Sequence, residues 1–539
     1  MAAGAVVEHL SNRKLITIFV FLFLAQLIFC LLGGLIAPRP SSSMNFVMRT
    51  CKDVTLGSSG LLVLLHGSAW FQEESEMPHW RGEQALEYSP WFQTILGLLS
   101  VEFQYKSPDR REPEMLFEVR MGYQKHGDAP TQWRELANTR ITRRLDCHVD
   151  QDLQGERYEY ACAPLELFEL GSSDYPFYLL NIRIPGCNET VGRYNCDIGP
   201  VTQLEVVEIH QNGGFTKVWL SMKTLLAPCV ILATVWYWRR ISQLNRKPFL
   251  LEKSIFALGI ATAAVDVPVE WLTLFIRMPF MLLLSDVRQG LFYAVLFCFW
   301  LIFTEEHLLD EGMKNRLSNY WKHLTPVIFG FACMFIFDMC ERGVHLNNPF
   351  YSIWATKLGT SLAFGFVVMA AFSAGVYFLV LFYYIWRVIA TIKQKKASLM
   401  HLAHNRRLKF QGIIFRFRFL MILTMVCAGF TVAGFIMEQV GEGQLRWGDF
   451  DDAPSMNYTS AFLTGVFGMW NIYILLLLAM YAPSHKKYQT SSTVAGSAPN
   501  LDIDEEDEDE VMVDDHLRVA NESVEASALT TFVMKTATD

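Results

Sequence analysis

The sequence predicts an α-helical membrane bundle of eight transmembrane helices joined to a lumenal antiparallel β-sandwich. Three observations favour this fold class. The 539 residues are 52% hydrophobic and only 19% charged, with a mean hydropathy of +0.22, which is too apolar for a string of soluble domains. Eight apolar runs are long enough to cross a bilayer. Between the first two runs, short segments alternate apolar and polar residues, as half-buried strands do.

The first apolar run covers residues 15–37 and follows Arg13 and Lys14. The apolar part of a cleaved signal peptide is roughly 7 to 15 residues long. This run is longer, so it predicts an uncleaved membrane anchor. The other predicted spans are residues 218–238, 254–276, 286–303, 324–339, 362–389, 419–440 and 461–481.

Basic residues predict the orientation of these spans. Lys and Arg collect on the cytoplasmic side of short loops. They are numerous after the second, fourth and sixth spans, whereas the opposite loops carry few. Both termini are therefore expected in the cytosol. The expected division is a cytosolic N-terminus (1–14), a first span (15–37), a lumenal domain (38–217), a bundle (218–481) and a cytosolic tail (482–539).

The tail is strongly acidic. Ten carboxylates lie between Asp502 and Asp515, which exceeds the formal net charge of −8 for the whole chain. The remainder is close to neutral, so the composition argues against a nucleic-acid partner with a basic binding face. We expect the tail to be a disordered, solvated segment.

Two glycosylation sequons and five cysteines support a lumenal position for residues 38–217. Asn188 lies in this segment, and Asn457 lies in the loop before the last span. Short loops separate Cys147 from Cys162 and Cys187 from Cys196, which favours two local disulfides. Connectivity cannot be deduced from sequence, and Cys51 is left over.

The lumenal segment is predicted to contain several short strands. Phe117, Val119, Met121 and Tyr123 alternate with polar residues, and similar runs end at Cys162, Ile184 and Ile209. Together they predict an antiparallel sandwich with its own core. The sequence Asn212-Gly213-Gly214 is typical of a hairpin turn, so we expect a hairpin just before the second span.

No motif in the sequence points to catalysis. A P-loop, a Gly-x-Ser-x-Gly elbow and a His-Glu-x-x-His zinc motif are all missing from the sequence. His401 and His404 share a helical face in a basic loop, where we expect a solvated pair. The sequence therefore predicts a protein that is not an enzyme and has neither a cofactor nor a metal site.

Charges in or near the predicted spans are more informative, because a charge in hydrocarbon is costly and usually faces a wet or protein-lined interior. They are Lys223, Asp266, Glu270, Asp286, Arg288, Asp338, Glu341 and Arg342.

One group of these charges is the candidate ligand site. Asp338 and Arg342 are four residues apart, so they can pair on one helix face beside Glu341. Two interpretations stay open: a structural pair that ties helices together, or the rim of a cavity open to the lumen. The aromatic loop that follows offers Phe350, Tyr351 and Trp354, either as an interfacial belt or as contacts for a partly lipid ligand.

Several ordered sequence blocks resemble the Wntless family. The blocks are Ile209-His210-Gln211-Asn212-Gly213-Gly214-Phe215-Thr216-Lys217-Val218-Trp219, Trp236-Tyr237-Trp238-Arg239-Arg240, Asp286-Val287-Arg288-Gln289-Gly290, Phe337-Asp338-Met339-Cys340-Glu341-Arg342-Gly343-Val344, Asn348-Pro349-Phe350-Tyr351-Ser352-Ile353-Trp354 and Tyr481-Ala482-Pro483-Ser484-His485-Lys486. They run from the last lumenal strand through the later spans, and Gly33-Gly34-Leu35-Ile36-Ala37-Pro38 also fits. Between about residues 51 and 91 the likeness is poor.

This resemblance implies a cargo receptor that collects palmitoleoylated Wnt proteins and escorts them from the endoplasmic reticulum and Golgi apparatus to the cell surface. It also implies that the last seven helices have a receptor-like arrangement, with the acyl chain in a bundle cavity and the sandwich on the protein part of Wnt. Membrane lipids, retromer and clathrin adaptors are the other implied partners.

Short sorting signals are implied by the same resemblance. Phe410 and Ile413 stand where the family has an endocytic Tyr-x-x-apolar signal, with Phe in place of Tyr. Phe532 and Met534 are similar to a retromer signal. Lys535 and Asp539 are similar to a Lys-x-x-x-Glu retrieval ending, with Asp in place of Glu. These signals imply recycling through endosomes and the plasma membrane.

Two other classes of function compete with cargo transport. The seven spans after the sandwich permit a G-protein-coupled-like signalling receptor, but the Asp-Arg-Tyr and Asn-Pro-x-x-Tyr motifs of common receptors are missing from these spans. Intramembrane charge hints at a transporter, yet the sequence shows no evident inverted repeat.

Overall fold

The computed structural model describes most of the two regions that the sequence predicts. The described residues are 12–47, 49–52, 61–65, 87–104, 114–129, 132–149, 159–185, 195, 201–244, 246–306, 317–398, 419, 421–431, 433 and 459–483.

Eight helices are described. They are α1 (Asn12–Leu31), α2 (Gly213–Ser242), α3 (Leu250–Asp266), α4 (Met281–Glu306), α5 (Leu317–His345), α6 (Lys357–Ser398), α7 (Met421–Thr431) and α8 (Thr459–Met480). Among the described residues, all of these except α7 are long and apolar enough to cross a membrane. Each of the other seven predicted spans overlaps one of these long helices, with ends that differ by up to ten residues. For the seventh predicted span, 419–440, the structure describes only the short apolar helix α7.

Eleven strands are described between α1 and α2. They are β1 (Ser41–Val47), β2 (Arg49–Lys52), β3 (Leu61–Leu65), β4 (Ile95–Gln104), β5 (Glu114–Gln124), β6 (Arg134–Arg144), β7 (Cys147–Val149), β8 (Glu159–Cys162), β9 (Leu165–Leu170), β10 (Phe177–Ile184) and β11 (Val201–Gln211). One sheet has the order β1-β11-β4-β8-β7, with β9 also paired to β4, and the other has the order β2-β3-β10-β5-β6. The predicted fold class, a multi-pass bundle with an antiparallel sandwich, is confirmed.

Alternation along the strands builds the sandwich core. Phe117, Val119 and Met121 on β5 are buried between the sheets, whereas Glu118 and Arg120 face outward and are only half-buried. Cys147 and Cys162 face each other across β7 and β8 and form a disulfide.

The expected hairpin at Asn212-Gly213-Gly214 is wrong. Strand β11 instead runs directly into α2, and the Asn212 side chain caps that helix: its Oδ1 accepts a hydrogen bond from the Gly214 amide at 2.8 Å. Asn is favoured at helix N-caps as well as in turns. The long apolar run after Gly214 decides in favour of the helix.

The bundle core is aromatic. Trp300, Phe299 and Phe303 on α4 are fully buried, together with Tyr237 on α2 and Tyr320 on α5. Helix α4 packs against both α3 and α5, and α8 packs against α2 and α3. The sandwich rests on one end of this bundle, where the 347–354 loop between α5 and α6 contacts β9.

Candidate functional site

Arg342, near the end of α5, joins the bundle to the sandwich. Its Nε lies 3.0 Å from Asp286 Oδ2 on α4, and its Nη1 lies 3.3 Å from Glu169 Oε1 on β9. Arg342 thus pairs with carboxylates on two neighbouring elements. A guanidinium has five donors in a planar fork, so carboxylates on two elements can be satisfied at once.

The loop after α5 is fastened to the sandwich by its backbone. The Glu169 amide donates to Pro349 O at 2.9 Å, and Arg143 Nη2 donates to Phe350 O at 2.8 Å. Glu341 Oε2 accepts a hydrogen bond from the Ile353 amide at 2.8 Å. We call this contact region, formed by Glu169, Asp286, Glu341, Arg342, His345 and residues 347–354, the seam.

The aromatic residues of the loop have three different environments. Phe350 is completely buried in the sandwich core, with its ring 6.3 Å from that of Phe168. Tyr351 is half-buried, and Trp354 is 41% exposed beside Phe337. The structure therefore gives Phe350 a packing role in place of the expected ligand contact. Only Tyr351 and Trp354 remain accessible to a ligand.

Burial and neighbouring carboxylates act in opposite directions on Arg143, whose side chain binds the loop of the seam. Burial lowers the pKa of the Arg143 guanidinium, whereas the neighbouring carboxylates of Glu166 and Glu341 raise it. A guanidinium is not deprotonated in proteins, so Arg143 stays a cation between the two carboxylates. The seam is therefore an ionic contact that holds two domains together, which is the structural interpretation of the predicted charge cluster.

A separate cavity of about 260 Å³ lies where the sandwich meets α2, α3, α4, α7 and α8. This volume is close to the lower end of typical ligand pockets, about 300–1,000 Å³. Its apolar wall is formed by Phe215, Trp219, Leu220, Val265, Met281, Leu282, Tyr293, Phe462, Leu463, Val466, Phe467 and Trp470. Its polar lining includes Gln93, Thr94 and Gln211 from the sandwich and Lys223, Glu270, Ser285, Arg288, Gln289 and Thr431 from the helices.

Tilted and edge-to-face aromatic pairs form much of the apolar wall. The Trp219 ring lies 4.7 Å from that of Phe467, and the Trp470 ring lies 5.0 Å from Phe292 and 5.4 Å from Tyr293. Aromatic pairs in such offset or tilted arrangements stabilise each other beyond their area burial. On this side the cavity is thus walled by aromatic rings that pack against one another.

Part of the cavity lining carries charge. Lys223 Nζ on α2 lies 2.6 Å from Glu270 Oε1, and Arg288 Nη1 on α4 lies 3.5 Å from the same oxygen. Asp266 lies behind them, fully buried, and accepts a hydrogen bond from Asn471 Nδ2 on α8 at 3.3 Å. Charges at membrane depth are tolerated when they pair and line a cavity, and Lys223, Glu270 and Arg288 do both.

Arg288 also stabilises the non-helical backbone that follows α3. The helix ends at Asp266, Val267 and Pro268 are not helical, and a 3₁₀ turn follows at Val269–Leu274. Arg288 donates to the carbonyls of Ala264, Val265 and Val267 at 2.6–2.8 Å. Non-helical backbone inside a membrane needs such internal partners, and it is found where it lines a cavity. Val265 and Glu270, on either side of the break, both line this cavity.

Of the predicted charges, Arg342 lines a smaller cavity of about 120 Å³ at the seam, and Lys223, Glu270 and Arg288 line the larger one. Asp338, Glu341 and Arg342 are absent from the wall of the larger cavity, whereas Lys223, Glu270 and Arg288 form its polar side. Both clusters were among the charges that the sequence places in or near the predicted spans. Deciding between them required the helix packing, which sequence periodicity does not give.

Several predicted residues lie outside the described part of the chain. They are the glycosylation candidates Asn188 and Asn457, the cysteines Cys187 and Cys196, and the sorting candidates Phe410, Ile413, Phe532, Met534, Lys535 and Asp539.

Comparison with known proteins places the chain in one family. Residues 212–485 match the family described as Wntless-like, transmembrane domain, and residues 74–211 match the family described as Wntless, GOLD domain. The chain is 45% identical to the protein wntless homolog of Caenorhabditis elegans and 41% identical to protein wntless of Drosophila sechellia, over the full length of both chains in each case. It is 42% identical to protein wntless homolog B of Xenopus laevis, over 90% of this chain and 92% of that one. The chain therefore belongs to the Wntless family.

Proposed function

We propose that this chain is a cargo receptor for palmitoleoylated Wnt proteins. Membership of the Wntless family supports a role in Wnt secretion, and the cavity between sandwich and bundle supports the finer role. The acyl chain enters the apolar part of this cavity, while the protein part of Wnt rests on the sandwich. The chain binds and releases cargo without a chemical step, so it is a carrier and not an enzyme.

The observation that carries this proposal is the position of the cavity. Its lining comes from both domains: Gln93, Thr94 and Gln211 from the sandwich, and aromatic residues such as Trp219 and Trp470 from the helices. A lipid attached to a protein presents an apolar chain and a polar polypeptide together, and this cavity offers both kinds of wall. Burying each methylene gains about 0.8 kcal/mol, so an unshielded acyl chain would hold Wnt on the membrane.

The orientation and route follow from the same role. We propose that the sandwich faces the secretory lumen and that both termini are cytosolic, as the basic loops predict. The receptor then travels from the endoplasmic reticulum through the Golgi apparatus to the plasma membrane and returns through endosomes. Retromer and clathrin adaptors would read the signals around Phe410–Ile413 and Phe532–Asp539.

The first test is co-purification from detergent of this protein with acylated Wnt, and in parallel with the same Wnt whose acylated serine is replaced by alanine. We expect capture of the acylated form only. Equal capture of both forms would mean that the sandwich alone recognises Wnt, and that the cavity has no part in it. Capture of neither form would contradict the carrier and favour the signalling receptor.

A pair of variants on α4 tests the cavity itself. Ser285 lines the cavity, so Ser285→Trp fills part of it. Leu291 is 45% exposed on the surface of the same helix, so Leu291→Trp is the matched control. Excluding two methylenes costs about 1.6 kcal/mol, which is roughly a fifteenfold loss of affinity. If Ser285→Trp bound acylated Wnt with wild-type affinity, the acyl chain would not bind in this cavity.

A further inference from the structure

The cavity between sandwich and bundle is shallow along the helices. Its lining runs from Phe215 to Lys223 on α2 and from Phe462 to Trp470 on α8. Helix α2 begins directly after β11, so Phe215 lies at the sandwich end, and α8 runs in the same direction. The ends of each range are eight residues apart, and a helix rises about 1.5 Å per residue, so the cavity is about 12 Å deep.

Three side chains close the deep end of this cavity. Trp470 is the deepest lining residue of α8, Tyr293 is the deepest of α4, and Thr431 comes from α7. Trp470 Nε1 donates to Thr431 Oγ1 at 3.0 Å, and the Trp470 ring meets that of Tyr293 edge to face at 5.4 Å. These contacts place the three side chains at one depth. We call Tyr293, Thr431 and Trp470 the floor.

The core beneath the floor is filled. One helical turn further from the sandwich, Leu296 on α4 and Tyr473 and Ile474 on α8 are 1–2% exposed and belong to the hydrophobic core of the bundle. These three residues do not line the cavity. Because protein interiors are close-packed, a ligand could pass the floor only by displacing these side chains.

The floor is also held from the side. The Trp470 ring lies 5.0 Å from that of Phe292, and the Thr431 hydroxyl, which accepts from Trp470, donates to Cys427 O at 2.8 Å. A hydroxyl has one proton to donate, so this second contact satisfies the Thr431 donor. Moving Trp470 out of the way would break its hydrogen bond and its aromatic contacts.

The acyl chain of the proposed cargo is longer than the cavity is deep. Carbon–carbon bonds of about 1.52 Å at angles near 111° advance an extended chain by about 1.25 Å per carbon, so a palmitoleoyl chain is about 19 Å long. Its first half therefore reaches the floor, and the second half has to turn. Palmitoleate carries a cis double bond at the middle of its chain, which fixes a bend there. The turned half can pack against apolar side chains of the wall such as Trp219, Val466 and Phe467.

On the basis of the proposed function, in which the acyl chain of Wnt enters this cavity, we propose that the floor selects acyl chains that bend at their middle. Trp470 is the residue that determines this selectivity. A cis-unsaturated chain brings the bend in its covalent structure. A saturated or trans-unsaturated chain has to reach it by rotating single bonds out of the extended rotamers and by giving up torsional freedom, so we expect it to bind roughly 3- to 10-fold more weakly.

The test measures binding of three serine peptides to the purified full-length protein in detergent. The peptides have one sequence and are esterified with cis-hexadecenoate, trans-hexadecenoate or hexadecanoate, and empty micelles correct for partition into detergent. The cis and trans esters contain the same atoms and have nearly the same apolar surface, so a difference between them reports the shape of the chain. We expect the cis ester to bind most tightly.

A variant of the floor tests the role of Trp470. In Trp470→Leu we expect the trans and saturated esters to gain affinity until the cis and trans esters bind nearly equally, because the smaller side chain opens the deep end. A gain of binding cannot come from misfolding. Trp386→Leu is the control, since Trp386 is 67% exposed on α6, and it should keep the wild-type preference. If thermal unfolding shows that Trp470→Leu is not folded, Tyr293→Leu opens the same floor from α4.

The outcomes separate this selectivity from the carrier role. Equal binding of the cis and trans esters by wild type, an unchanged preference in the folded floor variant, or binding of no ester by a protein that still captures acylated Wnt would each overturn the selectivity and leave the carrier intact. Failure to capture acylated Wnt as well would contradict the proposed function, and the selectivity with it.

Discussion

Phe350 shows how a single residue can be misassigned from sequence. An aromatic side chain in a loop at a membrane boundary has the same pattern whether it contacts lipid, ligand or protein. In the structure Phe350 inserts into the sandwich core, while the neighbouring backbone is bound by Arg143 and Glu169. Trp354, only four residues further on, is 41% exposed. Burial, which is decided by tertiary packing, separates the two.

Replacing these two residues distinguishes packing from ligand contact. Phe350→Ala removes a fully buried ring, which typically costs about 3–5 kcal/mol, so we expect a lower thermal midpoint and faster proteolysis of the sandwich. Trp354→Ala should change the stability by less than about 1 kcal/mol, because its side chain is partly exposed. If Phe350→Ala kept wild-type stability but captured less acylated Wnt, the ligand role of Phe350 would be restored.

At the scale of elements, α1 is attached to α8 through small residues. A Cβ at Gly468 would lie 2.3 Å from the Phe29 ring, and one at Gly33 would lie 2.0 Å from Thr464 Oγ1. Gln26 Nε2 donates to Gly465 O at 2.8 Å across the same contact. Membrane helices lack a hydrophobic drive to associate, so close backbone approach and interhelical hydrogen bonds stabilise such pairs.

A cross-link tests this contact. A Cβ built at Gly465 lies 2.8 Å from the native Cys30 Sγ, so Gly465→Cys places a second thiol within reach of a disulfide. We expect mild oxidation to join α1 to α8, seen on reducing and non-reducing gels after proteolysis between them. Gly375→Cys is the control, because its Cβ would meet no atom within 4 Å. If Gly465→Cys stays reduced, α1 does not pack against α8 at this position.

At the scale of the whole molecule, the sandwich and the bundle are joined at two places with different chemistry. The seam is ionic and holds the sandwich on α4 and α5 through Arg342. The cavity is largely apolar and lies on the side of α2, α3 and α8. In this arrangement Arg342, which the sequence predicted to rim a ligand cavity, helps to position the sandwich on the bundle.

Arg342→Gln should therefore loosen the domain contact without closing the cavity. Charge-assisted hydrogen bonds contribute about 1.5–3 kcal/mol each, so we expect amide hydrogen exchange of the 347–354 loop and β9 to rise roughly 10- to 100-fold. Exchange in the bundle core should be unchanged. Arg140→Gln is the control, since Arg140 is 72% exposed and pairs with Glu118 at the surface. Unchanged exchange in Arg342→Gln would contradict the role of the seam.

The sequence by itself determined the elements of this protein. Long apolar runs predicted the spans, because a helix satisfies its backbone hydrogen bonds within its own segment in lipid. Alternation predicted β5 and β10, because side chains in a strand alternate in direction. Both signals are local. The tertiary structure alone decided which elements meet: the burial of Phe350, the cap at Asn212, and the placing of Lys223, Glu270 and Arg288 on the cavity wall. These contacts join residues far apart in sequence, and the periodicity of one segment carries no information about its distant neighbours.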